Sequence, residues 1–400
     1  MQYYNTNSAL TKPYQLPAQV IAGYASWHQC DARIERSVGN DGVNTVIWFS
    51  IDLLDGKVNR GPDLDCVRDS VARINLLHPT TVHLMSIGGW NAPHIQTSAY
   101  SPESYYAAFS TYNKDNLFHG IDWDLEGNDD KANPANAFSV DCLNFMGRIS
   151  QLAKRDGLVV AMAPAESYLD PYTSRFSRSL LFGNEDWERA VPGLGFSYHG
   201  RNIYAYLLAR YGKTEIDTKD DSKTENIIAS IQKDNKGNSI QPNFFVDTFD
   251  FITIQFYESY SRVLFEIAKN NTAPHTALVN YVTRVSAESG WPVEFSDDPD
   301  LDFADALVSV QSTRIVIGLA NAWANGVKAL LVMPDQLEKA YTELKRIGHP
   351  IKGFAFWNIA EEGGIPQGQT KPLWLAREIN EFIHAETKVE ADVLLKKQEL

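Results

Sequence analysis

Eight short, apolar, β-rich runs recur along this chain with helical patterns between them, and that alternation limits the folds open to it. The runs fall at 19–27, 43–53, 80–88, 120–126, 158–164, 249–257, 314–320 and 351–358. Several are almost unbroken in apolar residues, as strands buried on both faces require. In the gaps, Val67, Val71, Ile74 and Leu77 line one face of a helix over 63–78 at three- and four-residue steps. Ser101 followed by Pro102 reads as an N-cap and a first-turn proline. Phe138, Cys142, Phe145, Ile149 and Leu152 form one stripe of a helix expected over 135–156. Residues 334–347 are amphipathic, and a last helix follows Lys371-Pro372. Strands alternating with helices imply a parallel sheet, and eight such units imply closure into an α/β (β/α)8 TIM barrel.

A chain of 400 residues accommodates one such barrel with insertions. The barrel is expected over 19–385, after an N-terminal extension of 1–18 and before a charged tail of 386–400. Segment 213–242 is polar and breaks the rhythm, so it reads as an insertion between the fifth and sixth β/α units, partly helical around 226–232. The net charge of −14 argues against nucleic-acid or anionic-membrane partners, which need basic patches. No apolar run is long enough for a membrane-spanning helix.

Residues 118–127, Phe-His-Gly-Ile-Asp-Trp-Asp-Leu-Glu-Gly, carry the chemistry. Asp122, Asp124 and Glu126 recur at two-residue spacing, with Ile121, Trp123 and Leu125 between them. Successive side chains on a strand point to opposite faces, so all three acids share one side. Like charges that close push at least one pKa upward and retain a proton near neutral pH, the property a general acid needs.

This stretch resembles the signature of glycoside hydrolase family 18, the chitinase-type barrels, written Asp-x-x-Asp-x-Asp-x-Glu. Asp122, Asp124 and Glu126 match its last three acids, and His119 stands where the first Asp is expected. A histidine there could donate a hydrogen bond to Asp122. Other strand ends resemble the same family in order. Ser86-Ile-Gly88-Gly89-Trp90 is similar to its Ser-x-Gly-Gly element, which supports the acids. Met162-Ala-Pro164-Ala165-Glu166 is similar to Met-Ala-Pro-Glu, with the Glu one residue late. Gln255-Phe256-Tyr257-Glu258 is similar to Gln-x-Tyr-Asn, and Trp357 ends the eighth strand.

The resemblance implies substrate-assisted hydrolysis with retention. Glu126 would protonate the glycosidic oxygen while the sugar's own 2-acetamido carbonyl attacks the anomeric carbon. Asp124, backed by Asp122, would stabilise the resulting oxazolinium, and Tyr257 would hold the carbonyl in line. Trp357 would floor the sugar site. Tyr24, Gly89, Met162, Gln255 and Glu258 would contribute to binding, with Trp27 a further wall residue. No metal or organic cofactor is required. The implied partner is an N-acetylglucosamine oligosaccharide or polysaccharide. Three readings stay open: a chitinase, an endo-β-N-acetylglucosaminidase acting on N-glycans, and a chitin-binding lectin without turnover.

Cys30, Cys66 and Cys142 have no metal-ligand spacing, and three buried thiols are expected in preference to one bridge. The first 19 residues lack the apolar core of a signal peptide. Asn270-Asn271-Thr272 fits a glycosylation acceptor, and the terminal Lys397-Gln398-Glu399-Leu400 is one residue from an ER-retrieval tetrapeptide. The last two features suggest an extracellular or secretory-pathway protein whose leader is absent from this sequence.

Overall fold

The computed structural model describes residues 15–27, 29–180, 200–217, 243–257, 261–326 and 329–385. Eight parallel strands form its centre: β1 (Val20–Ala25), β2 (Thr45–Leu54), β3 (Val82–Gly89), β4 (Gly120–Leu125), β5 (Val159–Met162), β6 (Phe251–Gln255), β7 (Ile315–Ala320) and β8 (Gly353–Trp357). Each pairs with its sequence neighbour, and β8 pairs with β1. The ring is therefore closed, leaving the parallel strands no free edge, and the expected (β/α)8 barrel is the fold.

Alternation along each strand divides the apolar residues into two layers. Val20, Ala22, Ile47, Leu84, Ala161 and Phe251 fill the barrel interior. The intervening residues, among them Trp48, Met85, Ile121, Trp123 and Ile254, pack outward against the helices. The outer helices start where sequence chemistry places caps. Asp63 caps α2 (Leu64–Leu77), counted after α1 (Ala32–Asp41), by accepting from the Asp65 and Cys66 N–H groups. Ser101 and Ser104 form a reciprocal capping box on α3 (Pro102–Tyr112).

Two sequence expectations need correction. The helix expected from 135 is a short 3-10 turn, Pro134–Asn136, then α4 (Val140–Arg155). Ser139 resets the start by capping the Cys142 N–H, while the Phe138 N–H donates to the Arg178 carbonyl at 2.9 Å. Cys30 and Cys66 form a disulfide between the β1–α1 connection and α2, leaving only Cys142 as a free thiol. Spacing in sequence could not reveal that pairing, because the two residues meet only through the packing of α2 beside the β1 loop. Lys213–Asp217, at the start of the expected insertion, pairs as an antiparallel hairpin with Asn243–Asp247, just past its end. Residues 218–242, including the expected helix at 226–232, and both terminal segments at 1–14 and 386–400 lie outside the described residues. Among the described residues no helix is long and apolar enough to cross a membrane.

Candidate active site

The acid strand runs as the two-residue spacing requires. Asp122, Asp124 and Glu126 sit at the inner face and upper end of β4, each at most 5% exposed. Ile121, Trp123 and Leu125 face the helices, where the Trp123 indole donates to Ser150 Oγ at 2.8 Å. Three carboxyls brought this close out of water need donors, and the neighbouring strand ends supply them.

Tyr24 on β1 donates its hydroxyl to Asp122 Oδ2 at 3.0 Å, and Ser86 on β3 donates to the same oxygen at 3.3 Å. Asp122 Oδ1 is buried and has no hydrogen-bond partner among the described residues. Burial pushes the Asp122 carboxyl up to about 7, against the two hydroxyls that lower it. Oδ1 is thus the oxygen on which a proton can reside.

Gln255, at the end of β6, occupies the centre. Its Nε2 donates to Asp124 Oδ1 at 2.7 Å and to the Ala163 carbonyl at 2.6 Å, and lies 3.4 Å from Glu126 Oε1. Glu126 is itself hydrogen-bonded to Asp124, and burial pushes its carboxyl up to about 7. Burial therefore favours a protonated Glu126 near neutral pH, with the hydrogen bonds from Asp124 and Gln255 acting in the opposite direction.

Backbone contacts hold this end of β4 in place. Tyr204 donates to the Leu125 carbonyl at 3.0 Å. His94 Nε2 lies 2.7 Å from the Glu126 carbonyl oxygen, so that nitrogen carries the hydrogen. Burial lowers the His94 pKa and favours the neutral ring.

An aromatic wall stands over the β8–β1–β2 side of the mouth. The half-buried Trp357 indole packs 4.6 Å from Phe49 and 5.7 Å from Tyr24, with Trp27 at 6.2 Å. Trp323, following β7, donates its indole N–H to the Trp357 carbonyl at 2.6 Å and meets the Tyr257 ring edge-on at 6.0 Å. Tyr257 follows Gln255 by two residues and acts electrostatically on the Tyr24 phenol. A cavity of about 170 Å³ is lined by Gly127, the residue after Glu126, with Trp90, Asn136, Ser167, Tyr168 and Arg201 among others.

The paired glycines work through close approach. Gly88 (φ +107) lies so near β4 that a Cβ would stand 2.8 Å from the Asp124 carbonyl oxygen. Gly89 (φ +109) leaves room for the Phe49 ring, which a Cβ would approach to 2.2 Å. Gly89 therefore shapes the wall through Phe49.

Most of the sequence-derived site converges: Asp122, Asp124, Glu126, Tyr24, Gln255, Tyr257 and Trp357 gather at the strand ends. Met162 does not. It is fully buried in the helix-side core, while its neighbours Ala161 and Ala163 face the barrel interior. Strand parity turns Met162 away from the barrel interior and its mouth. His119 also faces outward. Its Nδ1 accepts the His83 N–H at 2.9 Å and its ring stacks on His83, so it stands on the opposite side of β4 from Asp122. Burial lowers its pKa to about 4. Glu258 lies outside the described residues. Glu166 is completely buried, binds the start of the helix after β6, and is pushed up to about 8 by burial.

Sequence reading missed Phe49, His94 and Trp323. Trp323 follows directly from the seventh strand end and could have been found there; Phe49 and His94 carried no local signal. Among the described residues, no group of three or more His, Cys, Asp or Glu side chains could hold a metal ion.

No family model and no curated protein matches the sequence. Solved structures do match its fold. A family 18 chitinase from Chromobacterium violaceum superposes with a TM-score of 0.54 at 12% identity, covering 92% of this chain and 82% of that one. The catalytic domain of a hyperthermophilic chitinase from Pyrococcus furiosus gives 0.50 at 12% identity, covering 94% and 98%. A fungal endo-β-N-acetylglucosaminidase from glycosyl hydrolase family 18 gives 0.50 at 13% identity, covering 92% and 98%. At these identities the likeness establishes a common fold, the chitinase-like barrel.

Proposed function

We propose that this chain is a retaining glycoside hydrolase that cleaves β-1,4-linked N-acetylglucosamine glycans by substrate-assisted catalysis. The observation that carries the reading is the Asp124–Gln255–Glu126 cluster beneath an indole wall. Glu126, raised to about 7, is protonated often enough at neutral pH to donate to a glycosidic oxygen. Asp124, oriented by Gln255, supplies the negative charge for an oxazolinium formed by the sugar's own acetamido group. Asp122, with a free oxygen and a pKa near 7, can take up a proton when Asp124 turns toward the substrate. Trp357 offers the apolar face on which the reacting sugar stacks. Tyr257 aligns the acetamido carbonyl, converting attack at the anomeric carbon into an intramolecular step. Glu126, deprotonated by the first step, then activates the water that opens the intermediate with net retention.

The cavity beside Gly127 is lined by Asn128, Asn136 and Arg201, polar side chains that suit the hydroxyls of the leaving sugar. The donor set asks for a 2-acetamido sugar at the reacting position and is indifferent to what lies beyond it. The same chemistry would serve an endo-β-N-acetylglucosaminidase. The Cys30–Cys66 disulfide suits either reading, because secreted chitinases and N-glycan hydrolases both work in oxidising compartments.

The test is cleavage of N-acetylglucosamine oligomers of roughly four to six sugars beside Glu126→Gln, with a loss of at least ~100-fold expected for removing the acid. Products that vanish in the variant support the hydrolase. Binding without cleavage by the wild type would replace it with a lectin. Cleavage confined to N-glycans would select the endo-β-N-acetylglucosaminidase.

A further inference from the structure

The ends of β7 and β8 are joined through one asparagine. Asn321 is the first residue after β7 and is completely buried. Its N–H donates to the Trp357 carbonyl at 3.1 Å and its Nδ2 to the Asn358 carbonyl at 3.2 Å, so it grips the two peptide groups that follow the Trp357 side chain. Its Oδ1 accepts the Ala322 N–H at 2.8 Å, on the way to Trp323, whose indole donates to the same Trp357 carbonyl. Trp357 is the last residue of β8, so the carbonyls at and beyond it are held from β7 by Asn321 and Trp323 and locally by the Glu361 N–H.

An asparagine amide has a donor end and an acceptor end of nearly equal shape, so its neighbours fix which way it points. Glu362 does so here. Its Oε1 accepts from Asn321 Nδ2 at 2.8 Å, and from the Ala376 N–H at 3.4 Å in the first turn of the helix over 375–385. With that oxygen on one side, the Nδ2 end must face Glu362 and Asn358 while the Oδ1 end faces Ala322. Glu362 Oε2 is buried and has no hydrogen-bond partner among the described residues, so a proton taken up by this carboxyl resides there and leaves Oε1 accepting. The contact holds in either protonation state.

We infer that Glu362 is a positioning residue for sugar binding: by orienting the Asn321 amide it fixes the strand end that carries the Trp357 indole. The inference rests on the proposed hydrolase reading, in which Trp357 floors the reacting sugar. A stacking face serves only at the right height and tilt, and small misplacements of substrate-positioning groups are costly. Glu362 acts at one remove, through Asn321 and the Trp357 and Asn358 carbonyls.

A double-mutant cycle on binding tests this, since residues acting through one another are not additive. An N-acetylglucosamine tetrasaccharide is titrated into the Glu126→Gln protein, which separates binding from turnover. In that background Trp357→Ala should raise Kd by about 30-fold, the scale of a truncated aromatic anchor. Glu362→Ala should raise it by roughly 3- to 30-fold, the range of coupling within one hydrogen-bond network. Glu362→Gln keeps the acceptor and should stay within about twofold of its parent. Once Trp357 is Ala, Glu362→Ala should have no further effect. Multiplied losses, an unchanged Kd for Glu362→Ala, or a Gln variant as weak as the Ala one would overturn the positioning role and leave the hydrolase reading standing. No binding by the parent, or an unchanged Kd for Trp357→Ala, would overturn the sugar floor and the positioning role together. Should Glu362→Ala fail to fold, Asn321→Ala removes the other partner and takes its place in the same cycle. No further loss beside Trp357→Ala would then support the inference, and multiplied losses would overturn it.

Discussion

Replacing Gln255 by Leu removes the donor that joins the two working acids while keeping a side chain of similar bulk. Nε2 has two hydrogens for three acceptors, so the 2.6 Å and 2.7 Å bonds to Ala163 and Asp124 dominate and the 3.4 Å approach to Glu126 is the weakest. A hydrogen bond to a charged group is worth about 1.5–3 kcal/mol. If Asp124 stabilises the transition state as an anion, its loss should reduce kcat by about 10- to 150-fold. Gln255 also lowers the Glu126 pKa from the burial-raised level, so its removal moves that pKa further up. The long Glu126 contact limits this shift to less than about one unit, or ~1.4 kcal/mol. In the wild type, activity should fall as pH rises through about 7, where Glu126 loses its proton. In Gln255→Leu that fall should lie at higher pH. The assay is the pH dependence of kcat/KM on an N-acetylglucosamine oligomer for both proteins. A fall displaced to lower pH, or an undiminished kcat, would refute the coupling described here.

Gly89→Ala must hold an L side chain at φ +109 and displace the Phe49 ring. Strain of about 1–2 kcal/mol and overpacking of about 1–3 kcal/mol should lower the denaturation midpoint. Because Phe49 packs on Trp357, KM should rise more than kcat falls; an unchanged midpoint and KM would show that the wall does not depend on that glycine. Cys30→Ser opens a cross-link spanning 36 residues, for which chain entropy predicts a loss of about 3–4 kcal/mol. Alkylation of the unfolded, unreduced wild type should label Cys142 alone, and labelling of all three cysteines would reject the bridge.

Much of this site can be read along the chain because barrel geometry converts local pattern into position. A residue at the end of a parallel strand in a closed ring necessarily reaches the mouth, so Glu126, Gln255, Tyr257 and Trp357 were expected where they stand. Parity decided the two misplacements. Met162 and His119 sit on strands or strand entries with the right neighbours, yet one step of alternation turns each toward the helices. Their motif positions resemble the family pattern, but their faces follow from the pleat.

The order of apolar runs and helices, with three acids at two-residue spacing, determined a closed parallel barrel bearing a carboxylate cluster at its mouth. Those features follow from periodicities of two and 3.6 residues, which any stretch of chain expresses by itself. Only the tertiary structure decided that Gln255 bridges Asp124 and Glu126, that Tyr24 and Ser86 converge on one oxygen of Asp122, and that Cys30 meets Cys66. Each of those contacts joins residues dozens to more than a hundred positions apart. Their distances are set by which strands become neighbours and how far each is staggered, and the pKa shifts follow from burial that no single segment contains.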